Sequence, residues 1–62
     1  MKKKDYELIA NQFDLNIYFL KNNYPNQVKT LEAFAKQLAG RLEIDNPRFD
    51  RTKFLRDCGI ED

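Results

Sequence analysis

Apolar residues recur at helical spacing through the first third of the chain. Tyr6, Ile9, Ala10, Phe13, Ile17 and Leu20 form one stripe with a period of about 3.6 residues. The stretch FDLNIYFL, residues 13–20, also admits a strand reading, because Phe13, Leu15, Ile17 and Phe19 alternate with Asp14, Asn16, Tyr18 and Leu20. That pattern fails where Tyr18 and Leu20 are themselves apolar, and no other segment alternates well enough to pair with a lone strand. The spacing predicts a helix over about residues 4–22, ending in the turn formers Asn22 and Asn23.

This helix has an apolar remainder. At about 100° per residue, Leu8, Leu15 and Phe19 fall together on the side opposite the main stripe, with Asn11 and Gln12 beside them. Either the helix is the central element of a small bundle and its own chain covers both sides, or the second face meets a partner.

Tyr24 and Pro25 mark the connection, since proline suits a loop or the first helical position. A second helix follows over about residues 26–45. Val28, Leu31, Phe34, Ala35, Leu38, Ala39 and Leu42 occupy one broad arc, with Lys29, Glu32, Lys36 and Glu43 outside it. Gly40 shares the far face with Ala33 and, loosely, Ile44. That face reads as a solvated surface with an incidental glycine or as a small-residue stripe for a close neighbour, and the first reading is the simpler.

Both ends of a third helix are written in NPRFDRTKFLRDCGI, residues 46–60. Pro47 biases Asn46 away from helical geometry and stops the second helix. Asp50 is placed to cap the free amides of a new first turn, and Phe49 and Phe54 are spaced as a hydrophobic staple. Gly59 stands where a left-handed terminating residue is wanted, with Leu55 and Ile60 spaced for the contact that accompanies a Schellman motif. The result is a short helix over about residues 51–58, with Phe54, Leu55 and Cys58 turned inward. Too short to persist alone, it must pack on the other two. The fold expected is all-α: a three-helix domain whose long antiparallel hairpin, about 4–22 and 26–45, is closed by the short C-terminal helix. Residues 1–62 form a single domain, with a basic N-terminus, residues 1–3, expected to be mobile.

Composition sharpens this picture. A chain of 62 residues buries only roughly 60% of its unfolded surface, so a lone core is marginal and extra support comes from packing or self-association. With one cysteine and no histidine, it cannot form an intramolecular disulfide or the common zinc ligand sets. The formal net charge is +1, too small for the whole-molecule field that draws basic proteins to nucleic acid. Lys2, Lys3 and Lys4 are followed by Asp5, Glu7 and Asp14, so neither a secretory apolar region nor a membrane span is expected. A soluble, cytoplasmic protein in a reducing compartment is the expectation.

Catalytic and cofactor chemistry finds little footing. Hydrolytic triads usually need a histidine beside the nucleophile. Cys58, the strongest nucleophile by type, falls at a helix C-terminus, where the negative end of the dipole disfavours a thiolate, and at core spacing from Phe54. Glu43 with Asp45 and Asp57 with Glu61 read as surface and capping groups. No glycine-rich phosphate loop and no paired-metal carboxylate pattern is present. Neither enzymatic activity nor a cofactor is expected, and no small-molecule substrate or membrane partner.

The segments KKDYELIA, TLEAFAKQLAGRLEIDNPRFD and NPRFDRTKFLRDCG resemble a group of short helical proteins encoded by tailed bacteriophages and other bacterial mobile elements. Residues 11–29 look like the variable part. The resemblance implies a mobile-element origin and a bacterial cytoplasmic setting, and it supplies no binding residues. The function expected is stoichiometric protein binding through Leu8, Leu15 and Phe19, to a second copy as a homodimer or to a host or phage protein. The alternative is nucleic-acid binding by Arg48, Arg51, Lys53 and Arg56, with NPRF as the turn of a helix-turn-helix unit and Lys2 to Lys4 as a basic arm. Against it, Asp50 and Asp57 flank Lys53 at helical spacing and draw on the same charge.

Overall fold

A computed structural model describes residues 2–60. It is all-α. Helix α1 spans Lys3–Asn23, a 3₁₀ turn spans Pro25–Gln27, α2 spans Val28–Asp45 and α3 spans Arg51–Asp57. Met1, Glu61 and Asp62 lie outside the described residues, and with them the suggested Asp57–Glu61 pair. Lys2 is the N-cap of α1 and Lys3 its first residue; the Lys2 backbone N–H donates to the Asp5 carboxylate at 3.0 Å. The helix therefore takes in one more residue at this end than its apolar stripe predicts, because the stabilising acceptor in its first turn is polar.

The second helix starts at Val28, two residues later than its periodicity suggests. Pro25 opens a 3₁₀ turn, and the Gln27 N–H bonds to the Tyr24 carbonyl at 2.9 Å. Proline fixes φ and has no N–H to donate, so it starts this tight connection without losing a bond. At the far end Asn46 is extended, φ −138° and ψ 97°, as its following proline requires. Its side chain carbonyl accepts from the Arg48 N–H at 3.2 Å, and its Nδ2 lies 3.4 Å from the Tyr6 hydroxyl in the first turn of α1. With one end of α1 joined to α2 by four residues and the other end meeting Asn46, the two long helices run in opposite directions.

The third helix follows its predicted cues closely. Asp50 Oδ1 accepts from the Lys53 N–H at 3.0 Å, and the Phe49 and Phe54 rings lie 5.4 Å apart. The Ile60 N–H bonds to Leu55 O at 2.9 Å and the Gly59 N–H to Arg56 O at 3.0 Å, the paired bonds of a Schellman motif. Cys58 serves as C-cap instead of a last helical residue.

The core is built mostly from α1, α3 and the turn between α2 and α3. Ala10, Phe13, Ile17, Ala35, Ala39, Phe49, Phe54, Leu55, Cys58 and Ile60 are buried, and Tyr6, Ile9, Val28, Leu31, Leu38 and Leu42 pack against them half-buried. Only alanines of α2 are fully inside. Their small side chains let α3 approach, whereas Phe34, at the edge of the predicted apolar arc, stays 55% exposed while its ring touches Phe13 at 5.8 Å. Among the described residues the far-face stripe of α2 has no neighbour: a Cβ built on Gly40 meets nothing within 4 Å, and Ile44 is exposed.

The two glycines predict opposite outcomes. Gly59 has φ +82°, and a Cβ there would lie 2.6 Å from Asp14 Oδ1 on α1. Gly59→Ala should cost about 1–2 kcal/mol. Gly40→Ala, helical and unobstructed, should add about 0.5–1 kcal/mol. Thermal unfolding followed by circular dichroism checks both, with shifts of opposite sign and several degrees each.

Candidate functional site

Leu8, Leu15 and Phe19 project from α1 within an arc of about 40°, opposite Ala10, Phe13 and Ile17. They are 63%, 56% and 52% exposed. Of the two accounts that the sequence leaves open, cover by the chain itself is not realised among the described residues, because α2 and α3 both pack on the opposite side of α1. The neighbouring asparagines add no cover either. Asn16, Asn22 and Asn23 turn their amides back to the carbonyls of Gln12, Tyr18 and Phe19, at 2.7, 2.8 and 2.9 Å. Tyr24 extends the apolar surface at the end of the helix, its ring 6.1 Å from Phe19. The face runs about 16 Å along the axis from Leu8 to Phe19.

The four cations of the nucleic-acid alternative do not assemble into one surface. Arg51 starts α3 half-buried and is engaged with a partner. By helical rotation it points about 140° from Arg56 and about 160° from Lys53. Lys53 Nζ is 2.6 Å from Asp57 Oδ2 and 3.4 Å from Glu7 Oε2 on α1. The hydrogen bond to Asp57, with Glu7 adding to it, holds the Lys53 ammonium above the ordinary lysine range. Arg56 remains exposed on α3, and Arg48 in the preceding turn.

Cys58 is fully buried under the C-terminus of α3. Burial, with the nearby charges of Asp57 and Asp14, raises its thiol from the ordinary 9.0 to about 11. Such a group is held as the neutral thiol and packs as a small apolar residue. Among the described residues no three side chains of histidine, cysteine, aspartate or glutamate come together to hold a metal ion, and no helix is long and apolar enough to cross a membrane.

One feature is invisible in the linear pattern. The first turn of α1, the end of α2 and the start of α3 enclose an open pocket between Tyr6, Phe49 and Phe54, with Lys3, Arg48 and Lys53 around it. Tyr6 and Phe49 each carry a sequence signal as core and staple residues. Their convergence, ring centroids 4.7 Å apart, arises only once the chain turns back on itself. Comparison of the chain with family models, with curated proteins and with solved structures gives no match.

Cys58 provides a direct check on the packing of α3. At pH 8 the folded thiol should carry a thiolate fraction roughly 100-fold below that of the unfolded chain, so iodoacetamide should modify it only as fast as the domain opens. The sign for stability follows. A raised pKa in the folded state leaves stability intact below pH 9 and removes it progressively as pH rises toward 11. Urea midpoints measured across that interval should fall, and Cys58→Ala should flatten the fall while costing stability for the smaller side chain at neutral pH.

Proposed function

We propose that the protein is a non-enzymatic helical binding module that acts in the bacterial cytoplasm by stoichiometric contact with protein, through the Leu8, Leu15 and Phe19 face of α1. The partner is a second copy or a host or phage protein. What supports this reading is one observation: a row of large apolar side chains, each more than half exposed, on the face of the longest helix that no other element among the described residues packs against. Keeping such a row in water forgoes burial that a small domain needs.

The size of the contact can be bounded. A standard interface takes roughly 800 Å² from each partner, about a sixth of the 4850 Å² surface of this chain. Three side chains do not fill that area. The contact must recruit the flanks, where Tyr18 and Tyr24, both exposed, offer rings with polar tips of the kind enriched at interfaces. The polar remainder of the helix, Asn11, Gln12 and Asn22, would form the rim. The resemblance to phage and mobile-element proteins supports the same setting, in which a small module modulates a process by occupying a surface.

The test compares the parent with the double variant Leu15→Asp, Phe19→Lys. Both positions are exposed and outside the core, so the helical content should be retained within about 1 kcal/mol of stability. Sedimentation equilibrium in reducing buffer over a wide concentration range, paired with capture from bacterial lysate, provides the readout. The expected result is association by the parent, as a mass above 7.4 kDa or as a specifically retained protein, lost in the folded variant. Parent and variant behaving alike overturns the proposal.

A further inference from the structure

The pocket where α1, α2 and α3 converge has a volume of about 390 Å³, within the range of small-ligand sites. Its inner wall is aromatic. Tyr6 is half-buried, its ring centroid 4.7 Å from buried Phe49, which lies 5.4 Å from buried Phe54. The charged groups lining it fall into two sets. Glu7, Asp50 and Asp57 are all engaged, Glu7 and Asp57 by the Lys53 ammonium and Asp50 by the Lys53 backbone N–H. Lys3 and Arg48 are exposed cations whose side chains have no partner among the described residues.

We propose that this pocket binds a single carboxylate carried on an aromatic or aliphatic body, the carboxylate held by Lys3 and Arg48 and the body lying against Tyr6. This goes beyond the α1 face and does not rest on it. Arginine presents paired N–H donors that match a carboxylate, and lysine adds a point charge. Lys3 is also the first residue of a 21-residue helix, so the positive end of its dipole adds to the attraction. A nucleic acid is the poorer match. The lining cations Lys3, Arg48 and Lys53 are balanced in number by Glu7, Asp50 and Asp57, which leaves no net positive track for a phosphate backbone, whereas one carboxylate needs only the donors of Lys3 and Arg48. The same chemistry has two sources: an acidic residue beside an apolar one in a protein segment, or a free organic acid.

The probes are 3-phenylpropionate, its neutral counterpart 3-phenylpropanol, the peptide acetyl-Phe-Glu-amide and an oligothymidylate, each titrated into the full ¹⁵N-labelled chain and followed by amide correlation spectra. Expected are saturable shifts centred on Lys3, Tyr6, Arg48 and Phe49 with 3-phenylpropionate, with a dissociation constant on the order of millimolar for so small a ligand. The alcohol should bind roughly tenfold more weakly, and so should the acid to Arg48→Gln and to Lys3→Gln. Both variants alter exposed side chains, and the dispersion of the same spectra reports that they fold. Tighter binding of the peptide than of the free acid would assign a protein segment as the source, and the reverse a metabolite. Four results would overturn the proposal: no saturation, equal binding of the alcohol, unchanged affinity in both variants, or preference of the same amides for oligothymidylate.

Discussion

The structure depends on the burial of a helix too short to exist by itself. Seven residues of α3 cannot hold helical geometry in water, and they are held here by termination at both ends and by burial in the middle. Asp50 satisfies a free amide at the start, and Gly59 turns the chain at the end so that Ile60 closes over Leu55. Between them Phe54, Leu55 and Cys58 fill the space that Ala10, Ala35 and Ala39 leave open. The rings of Tyr6, Phe49, Phe54, Phe13 and Phe34 form a continuous line of contacts that touches all three helices and the turn before α3. A chain of this size has no second core to fall back on.

Both candidate sites follow from where α3 packs. By occupying one side of the helical pair it draws Ala10, Phe13 and Ile17 inward, and α1 is then obliged to present Leu8, Leu15 and Phe19 to solvent. The same packing brings the turn before α3 against the first turn of α1. Phe49 then meets Tyr6, and Lys53 meets Glu7. Pairing within that cluster consumes Lys53 and leaves Arg48 and Lys3 without counter-ions among the described residues. The uneven distribution of charge is thus a by-product of the contact that completes the core.

The sequence was most legible where local chemistry decides the conformation. Asp50, Phe49, Phe54, Gly59 and Ile60 each have a role set within a few residues of chain, and the structure places them in those roles. The stripe through Tyr6, Phe13 and Ile17 was legible for the same reason, since a helical period is a local property. Phe34 was not. Its place in the apolar arc is correct by rotation, yet its burial depends on which side of α2 meets α3, and that is decided by the alanines. The start of α2 was shifted because Pro25 builds a 3₁₀ turn that has no apolar period to read. The α1 face was visible as a surplus of apolar positions, although its exposure depends on what packs where. The pocket was not visible, because it joins residues 3 to 57 across three elements and no spacing encodes that meeting.

The central claim is that α3 and the two long helices form one cooperative unit, with neither the pair nor the short helix stable without the other. Native-state hydrogen exchange tests it most directly. Amides of Phe54, Leu55 and Cys58 should exchange with the same free energy and the same denaturant dependence as the best protected amides around Ala10, Phe13 and Ala39, all through global unfolding. Exchange of the α3 amides through an opening of lower free energy, while α1 and α2 remain protected, would contradict the account and make the helical pair the self-sufficient core.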